Sequence, residues 1–167
     1  MERWSAQRAN EWYQANQWPI GFNYVTSNAV NSTEMWQNDT FDSPRIRHEL
    51  ALAASLGFNS CRVFLQFIVW ENEREVFMKN LADFCDIAEE CGLSVMPVLL
   101  DDCRFAMKDP YLGKQDAPRY GVSNGGWTPS PGFAIADDPA MEGAICAYVQ
   151  QIIGAHRDNR QIIAWDL

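Results

Sequence analysis

Four charged side chains stand where charge is costly. Arg62 lies in the middle of residues 57–67, a mostly apolar run rich in aromatic and β-branched residues. Such a run reads as a strand buried on both faces. An ionised side chain rarely enters one unless a carboxylate or a ligand answers it. Asp101 and Asp102 follow a second run, residues 93–100, and Asp166 sits near the end of a third, residues 161–167. In one reading Arg62 points into a site and holds a catalytic carboxylate ionised. In the other it makes a structural ion pair with Asp101, Asp102 or Asp166, and pattern alone leaves the two even. Asp166 likewise either faces a site or pairs with Arg62. Successive strand residues face opposite sides, so Asp101 and Asp102 are not expected to act as a pair. One would line the site while the other caps the loop or meets a helix.

Seven tryptophans are many for 167 residues. Trp36, Trp70 and Trp127 fall in loops that follow strands, where a flat ring can stack on a ligand face. Packing of the loop on the core is the plain alternative for each. Three on one rim favour a sugar or another flat, partly apolar ligand. Trp4, Trp12, Trp18 and Trp165 are most simply packing residues.

Several chemistries are disfavoured. His48 and His156 are the only histidines, and both fall on helical patterns. That removes a His-rich metal site and argues against a Ser-His-Asp arrangement. None of the three lysines, Lys79, Lys108 and Lys114, lies on a strand to form a Schiff base. The glycine-rich stretch 121–126 does not join a strand to a helix, so it is a weak phosphate cradle. Five cysteines with no C-x-x-C support neither a disulfide framework nor a zinc ribbon, and reduced structural thiols are expected. No cofactor and no metal are expected.

Bulk composition sets the class. With 47% hydrophobic and 21% charged residues, the chain reads as one globular domain with a real core. A net charge of −9 offers no basic stripe for nucleic acid or an anionic membrane. No apolar segment approaches the ~20 residues a membrane span needs. Residues 1–6 lead into polar residues rather than an apolar stretch, so no signal peptide is visible and a cytoplasmic location is expected if Met1 is the true start.

The elements follow from periodicity and capping. Residues 1–17 form a leading segment, with a short helix from Glu2 to Gln17 expected to pack beneath the main body. Residues 19–24 read as a strand, 25–42 as a long polar loop, and Ser43-Pro44 as a helix start with Ser43 as cap. Ile46, Leu50, Ala53, Ala54 and Leu56 recur at helical spacing until Gly57 closes the helix. A second helix spans 75–91 before Gly92, an unusually long loop spans 101–138, and Asp138-Pro139 opens a third helix ahead of the last strand. The order is β-α-β-α-β-α-β, with long loops only after strands. That asymmetry gathers the decoration on one rim, as in a (β/α)8 TIM barrel, rather than in a doubly wound sheet. A whole barrel takes about 250 residues, so residues 18–167 are expected to supply β1 to β4, about the first four βα units. On this reading 1–167 is the N-terminal half of a single catalytic domain. Its outer strands would be open edges, and self-association through them is expected.

The residues also carry a resemblance. Asn23-Tyr24 after the first strand, Ser43-Pro44 into the helix, and Gly57-Phe58-Asn59-Ser60-Cys61-Arg62 resemble the retaining glycoside hydrolases of clan A, especially the cellulase-like family-five barrels. Further matches are Pro97-Val98-Leu99-Leu100-Asp101-Asp102-Cys103 and the ending Ala164-Trp165-Asp166-Leu167. In that family W-D-L is typically followed by an aromatic residue and Asn-Glu-Pro. The resemblance implies a general acid/base glutamate after strand four and a nucleophilic glutamate after strand seven, neither within these residues. It matches Arg62 to the arginine that contacts the nucleophile. It also implies that Asn23, Tyr24, Trp36, Trp70, Asp101, Asp102 and Trp127 line a carbohydrate cleft. The loop 123–127 resembles a subgroup loop reading His-Asn-Ser-Gly-Trp, with Ser123 in place of the histidine. The expectation is the N-terminal part of a glycoside hydrolase that cleaves β-linked oligo- or polysaccharide and is inactive in this form. The alternatives are a non-catalytic carbohydrate-binding barrel and a TIM-barrel enzyme of other sugar chemistry.

Overall fold

A computed structural model describes residues 3–167, so Glu2, the expected start of the leading helix, lies outside the described residues. The chain runs α1 (Ala6–Ala15), β1 (Gly21–Tyr24), α2 (Ser32–Trp36), α3 (Ser43–Ser55), β2 (Ser60–Phe64), α4 (Phe67–Asn72), α5 (Arg74–Glu90), β3 (Ser94–Val98), α6 (Phe133–Ala136), a 3-10 turn (Pro139–Met141) and α7 (Glu142–His156). The three strands form a parallel sheet in the order β1-β2-β3. Parallel neighbours need a crossover of a dozen or more residues, and α3 and α5 supply the two inside this sheet.

Register fixes what faces where. Asn23, Arg62 and Met96 lie in one row across the sheet, flanked by the rows Phe22-Cys61-Val95 and Tyr24-Val63-Pro97. Cys61, Val63 and Val95 are fully buried against the helices, so strand alternation turns Arg62 to the opposite face. Between helices and sheet lies an aromatic core. Trp36 packs on Phe41, Phe77 and Phe84 with centroids 5.6–5.8 Å apart, and Tyr148 packs on Phe67 and Trp70 at 5.5 and 5.3 Å.

Residues 161–167 do not form the continuous fourth strand that their composition predicts. They dock parallel to β3 through two isolated bridges, Val95 to Ile162 and Val98 to Asp166. The Asp166 N–H donates to the Pro97 carbonyl at 3.0 Å and the Leu99 N–H to the Asp166 carbonyl at 2.8 Å. Among the described residues nothing pairs with the outer edge of this segment.

The helix ends match their glycines. Gly57 at φ +94° and Gly92 at φ +72° follow α3 and α5. In each case the next residue closes a six-to-one bond, Phe58 N–H to Ala53 and Leu93 N–H to Ala88, as glycine-capped helices do. The helix starts shift from expectation. Asp42, not Ser43, caps α3, its carboxylate accepting from the Arg45 N–H at 2.9 Å. Asp138 caps the 3-10 turn rather than α7 itself. Leu56 lies past the end of α3 and is exposed rather than in the core.

The leading helix does not pack as expected. α1 buries no residue, and Trp4, Trp12 and Trp18 are 46%, 42% and 67% exposed. The rings meet each other instead, Trp4 edge-on to Trp12 and Tyr13 edge-on to Trp18, while Trp165 does pack against the core. All five cysteines are free, and burial pushes the Cys61 and Cys85 thiols up to about 12. Among the described residues no helix is long and apolar enough to cross a membrane.

His156, buried at the end of α7, yields a pH prediction. Burial holds its imidazole below the ordinary histidine value, partly opposed by Asp86. The unfolded chain therefore takes up the proton first on acidification. Above about pH 6.5 both states are neutral there, and below it stability falls as pH drops. Urea unfolding between pH 7.5 and 5.5 should show that loss in the wild type and a shallower slope in His156→Gln; equal slopes would contradict it.

Candidate functional site

The loops that follow β1, β2 and β3 gather at the C-terminal ends of the strands, where barrel sites are built. Arg62 points into this mouth, and its side chain is 31% exposed. Its Nε and Nη2 both donate to one oxygen of Asp166, Oδ2, at 2.8 and 2.6 Å. Nη1 lies 3.4 Å from Asn23 Oδ1, and the Phe64 ring sits 4.5 Å from the guanidinium carbon. Asp166 is thus the ion-pair partner, and Asp101 and Asp102 are not. The ion pair does not withdraw the arginine from the mouth. Arg62 and Asp166 line a cleft of about 550 Å3 walled by Leu100, Asp101, Asp102, Pro131 and Phe133. A second cleft of about 310 Å3, bordered by Asn23, Tyr24, Phe64, Phe105 and Trp127, meets the first at Arg62, Asp101 and Cys103.

Asp101 and Asp102 depart from the alternation expected of them. β3 ends at Val98 and the chain turns, so both carboxylates reach the same cleft. An oxygen of each and the Cys103 Sγ lie within 4.8 Å of one another. Asp101 is also a tether: Oδ2 accepts from Trp127 Nε1 at 2.5 Å and Oδ1 from the Cys103 N–H at 3.1 Å. A hydrogen bond to the Asp101 carboxylate, with some burial, pushes the Cys103 thiol up. Asp102 is exposed.

The tryptophans separate. Trp36 and Trp70 are 0% and 1% exposed, so neither offers a face to a ligand, which corrects the expectation that they line the cleft. The loops carrying them are not free: α2 and α4 form inside them and fold the indoles onto the core. Trp36 Nε1 donates to the Phe64 carbonyl at 2.7 Å, and the Arg74 guanidinium lies 4.0 Å over the Trp70 ring. Trp127 borders the second cleft but is 7% exposed, edge-on to Phe64 at 5.0 Å. Tyr24 is buried on the helix side, its hydroxyl donating to Glu49 at 2.8 Å; burial first, then the Glu49 carboxylate, drives its pKa upward. Asn23 is exposed on the Arg62 side.

The long loop 101–138 is tied to the body at several points. Asp101 and Ser130 exchange both backbone bonds at 2.8 Å, and Ser130 Oγ accepts from the Phe67 N–H at 2.9 Å. Asn31, 1% exposed, caps α2 through the Glu34 N–H while its amide donates to Gln115 at 2.9 Å and the Gly126 carbonyl at 3.0 Å. Gly125 is required there, because a Cβ would stand 2.6 Å from the Arg119 carbonyl oxygen. Asn31, Ser130, Phe105 and Phe133 escaped the sequence reading. Asn31 had a signal: Asn with Glu three residues later is a capping pattern, here with the Glu34 carboxylate accepting from the Val30 N–H. Ser130 and the two phenylalanines had none.

Comparison with known proteins places this geometry. No protein-family model matches the chain, and no curated protein sequence matches it. Solved structures do. An exo-β-1,4-mannosidase from Opitutaceae bacterium strain TAV5 superposes with a TM-score of 0.61 at 24% identity, over 89% of this chain and 24% of its own. A GH5_18 variant from Streptomyces cattleya in complex with Manβ1-4GlcNAc gives 0.57 at 20% identity, over 88% of this chain and 33% of its own. GH5_18 from the same organism with GlcNAc gives 0.54 at 19%, over 89% and 33%. The likeness is one of fold: the parallel α/β sheet of this chain matches part of each of these structures. The chain spans about a quarter to a third of the length of these structures.

Removing Asn31 should loosen the whole rim. Asn31→Ala deletes a cap and two tethers, and should cost roughly 1–3 kcal/mol in urea unfolding while speeding proteolysis within 101–138. Unchanged protease protection of that loop would contradict its role.

Proposed function

We propose that this chain supplies the first four βα units of a (β/α)8 barrel that hydrolyses β-linked oligo- or polysaccharide with retention. The observation that carries the reading is Arg62, a guanidinium on a central strand, held in the cleft at the C-terminal end of the sheet. Retaining hydrolysis needs two carboxyl groups about 5–5.5 Å apart, one ionised and one protonated. A fixed positive charge favours the ionised nucleophile, and the acid keeps its proton in a more apolar spot. On this reading both glutamates belong to the barrel beyond residue 167. Asn23, Asp101 and Asp102 offer polar groups to sugar hydroxyls, and Trp127 and Tyr24 shape the wall. Trp36 and Trp70 support the rim from within. The fold likeness to proteins described as a β-1,4-mannosidase and as a complex with Manβ1-4GlcNAc makes β-mannosides the first substrates to try.

Kinetics of the full gene product on β-1,4-linked manno-oligosaccharides test this reading. Arg62→Ala should lower kcat/KM about 10²–10³-fold, the scale of one lost charge-stabilising donor, with the fold intact by circular dichroism. Residues 1–167 alone should give no turnover. Hydrolysis by residues 1–167 that Arg62→Ala abolishes would overturn it, as would full activity in the Arg62→Ala enzyme.

The open edges give a separate prediction. With β1 and residues 161–167 unpaired on their outer sides among the described residues, isolated residues 1–167 should self-associate. Size-exclusion chromatography at micromolar concentration reads this, and a sharp monomer peak would contradict it.

A further inference from the structure

The geometry points to Asp166 as a positioning residue that orients Arg62, presenting its Nη1 edge to an anionic group in the cleft. This rests on the hydrolase reading for its consequence in catalysis, but not for the clamp itself. Asp166 is anchored independently of the arginine, because its backbone N–H donates to Pro97 in β3 and its C=O accepts from Leu99, just past the end of β3. Its carboxylate then takes Nε and Nη2 on a single oxygen. Two donors to one fixed acceptor set the plane of the guanidinium, and Phe64 limits its tilt from one side. Nη1 donates one N–H to Asn23 Oδ1 at 3.4 Å, which leaves its second N–H, away from the ion pair, for a ligand in the mouth.

The clamp also tempers charge. With Asp166 ionised the pair is neutral overall, so a carboxylate arriving at Nη1 meets less positive field than a lone arginine would give. The other titratable groups lining the cleft with the pair are Asp101, Asp102 and Cys103, while the Tyr24 hydroxyl is turned to Glu49 on the helix side. They are common to every variant below.

In the full gene product, Asp166→Asn should lower kcat about tenfold or more, since small misplacements near chemistry are costly, with KM changed less than about threefold. It should also move the acidic limb of kcat/KM to lower pH, because the uncompensated arginine favours the ionised nucleophile, while Arg62→Gln moves that limb up. Loss of activity with an unmoved acidic limb, or no loss, overturns the proposal. An independent arm records the Arg62 Nε–H by NMR in the same protein. Slow solvent exchange in wild type, lost in Asp166→Asn, supports the clamp, and fast exchange in wild type overturns it even if Asp166→Asn does not fold. A wild-type protein that hydrolyses no β-glycoside but keeps a protected Nε–H sinks the hydrolase reading and leaves the clamp standing.

Discussion

A guanidinium on the inner face of a parallel sheet has to be held from more than one strand, and that requirement shapes the mouth of this molecule. Arg62 leaves β2, passes the edge of β3, and meets Asp166 on the segment docked beyond it, with Asn23 of β1 on the other side. The pair is about one-third exposed on each side. At that exposure the attraction is screened and the stability gained is about 1 kcal/mol or less. Its value is geometric. One charge-assisted contact ties the middle strand to the segment docked beyond β3 and fixes a cation at the meeting point of two clefts.

The same economy governs the loops above it. Chain leaving β1 and β2 forms the short helices α2 and α4, which return their tryptophans to the core. Chain leaving β3 is longer and is tied down at Asp101, Trp127 and Ser130 on one side and at Asn31 on the other. A mouth built this way presents polar groups on a fixed backbone. Such pre-organisation favours binding and transition-state stabilisation over adaptation.

Much of the fold was legible because it rests on local rules. Gly57 and Gly92 sit after apolar helical stripes, and each closes its helix as that position demands. Buried runs with β-branched residues became parallel strands, and Arg62 stood out because charge in such a run needs an answer. The failures share a cause: they depend on distant contacts. Whether Trp36 stacks on a ligand or on Phe77 is decided by α5, more than 35 residues away. Asp101 and Asp102 escaped alternation because β3 ends at Val98, and past that end Asp101 bridges Ser130 instead of continuing the strand. The tryptophans in and around α1 looked like packing residues, yet Trp12 meets Trp4 and Trp18 meets Tyr13 while all three tryptophans stay exposed. Residues 161–167 had strand composition but, among the described residues, pair only with β3 and its end.

The direct measurement is intact-mass analysis of the full gene product incubated with a 2-deoxy-2-fluoro-β-mannosyl fluoride. A retaining barrel whose nucleophile is steadied by Arg62 gives a single stoichiometric glycosyl adduct, formed about 100-fold more slowly in Arg62→Ala. Turnover of β-mannosides with no adduct, or an adduct that forms equally fast without the arginine, contradicts it.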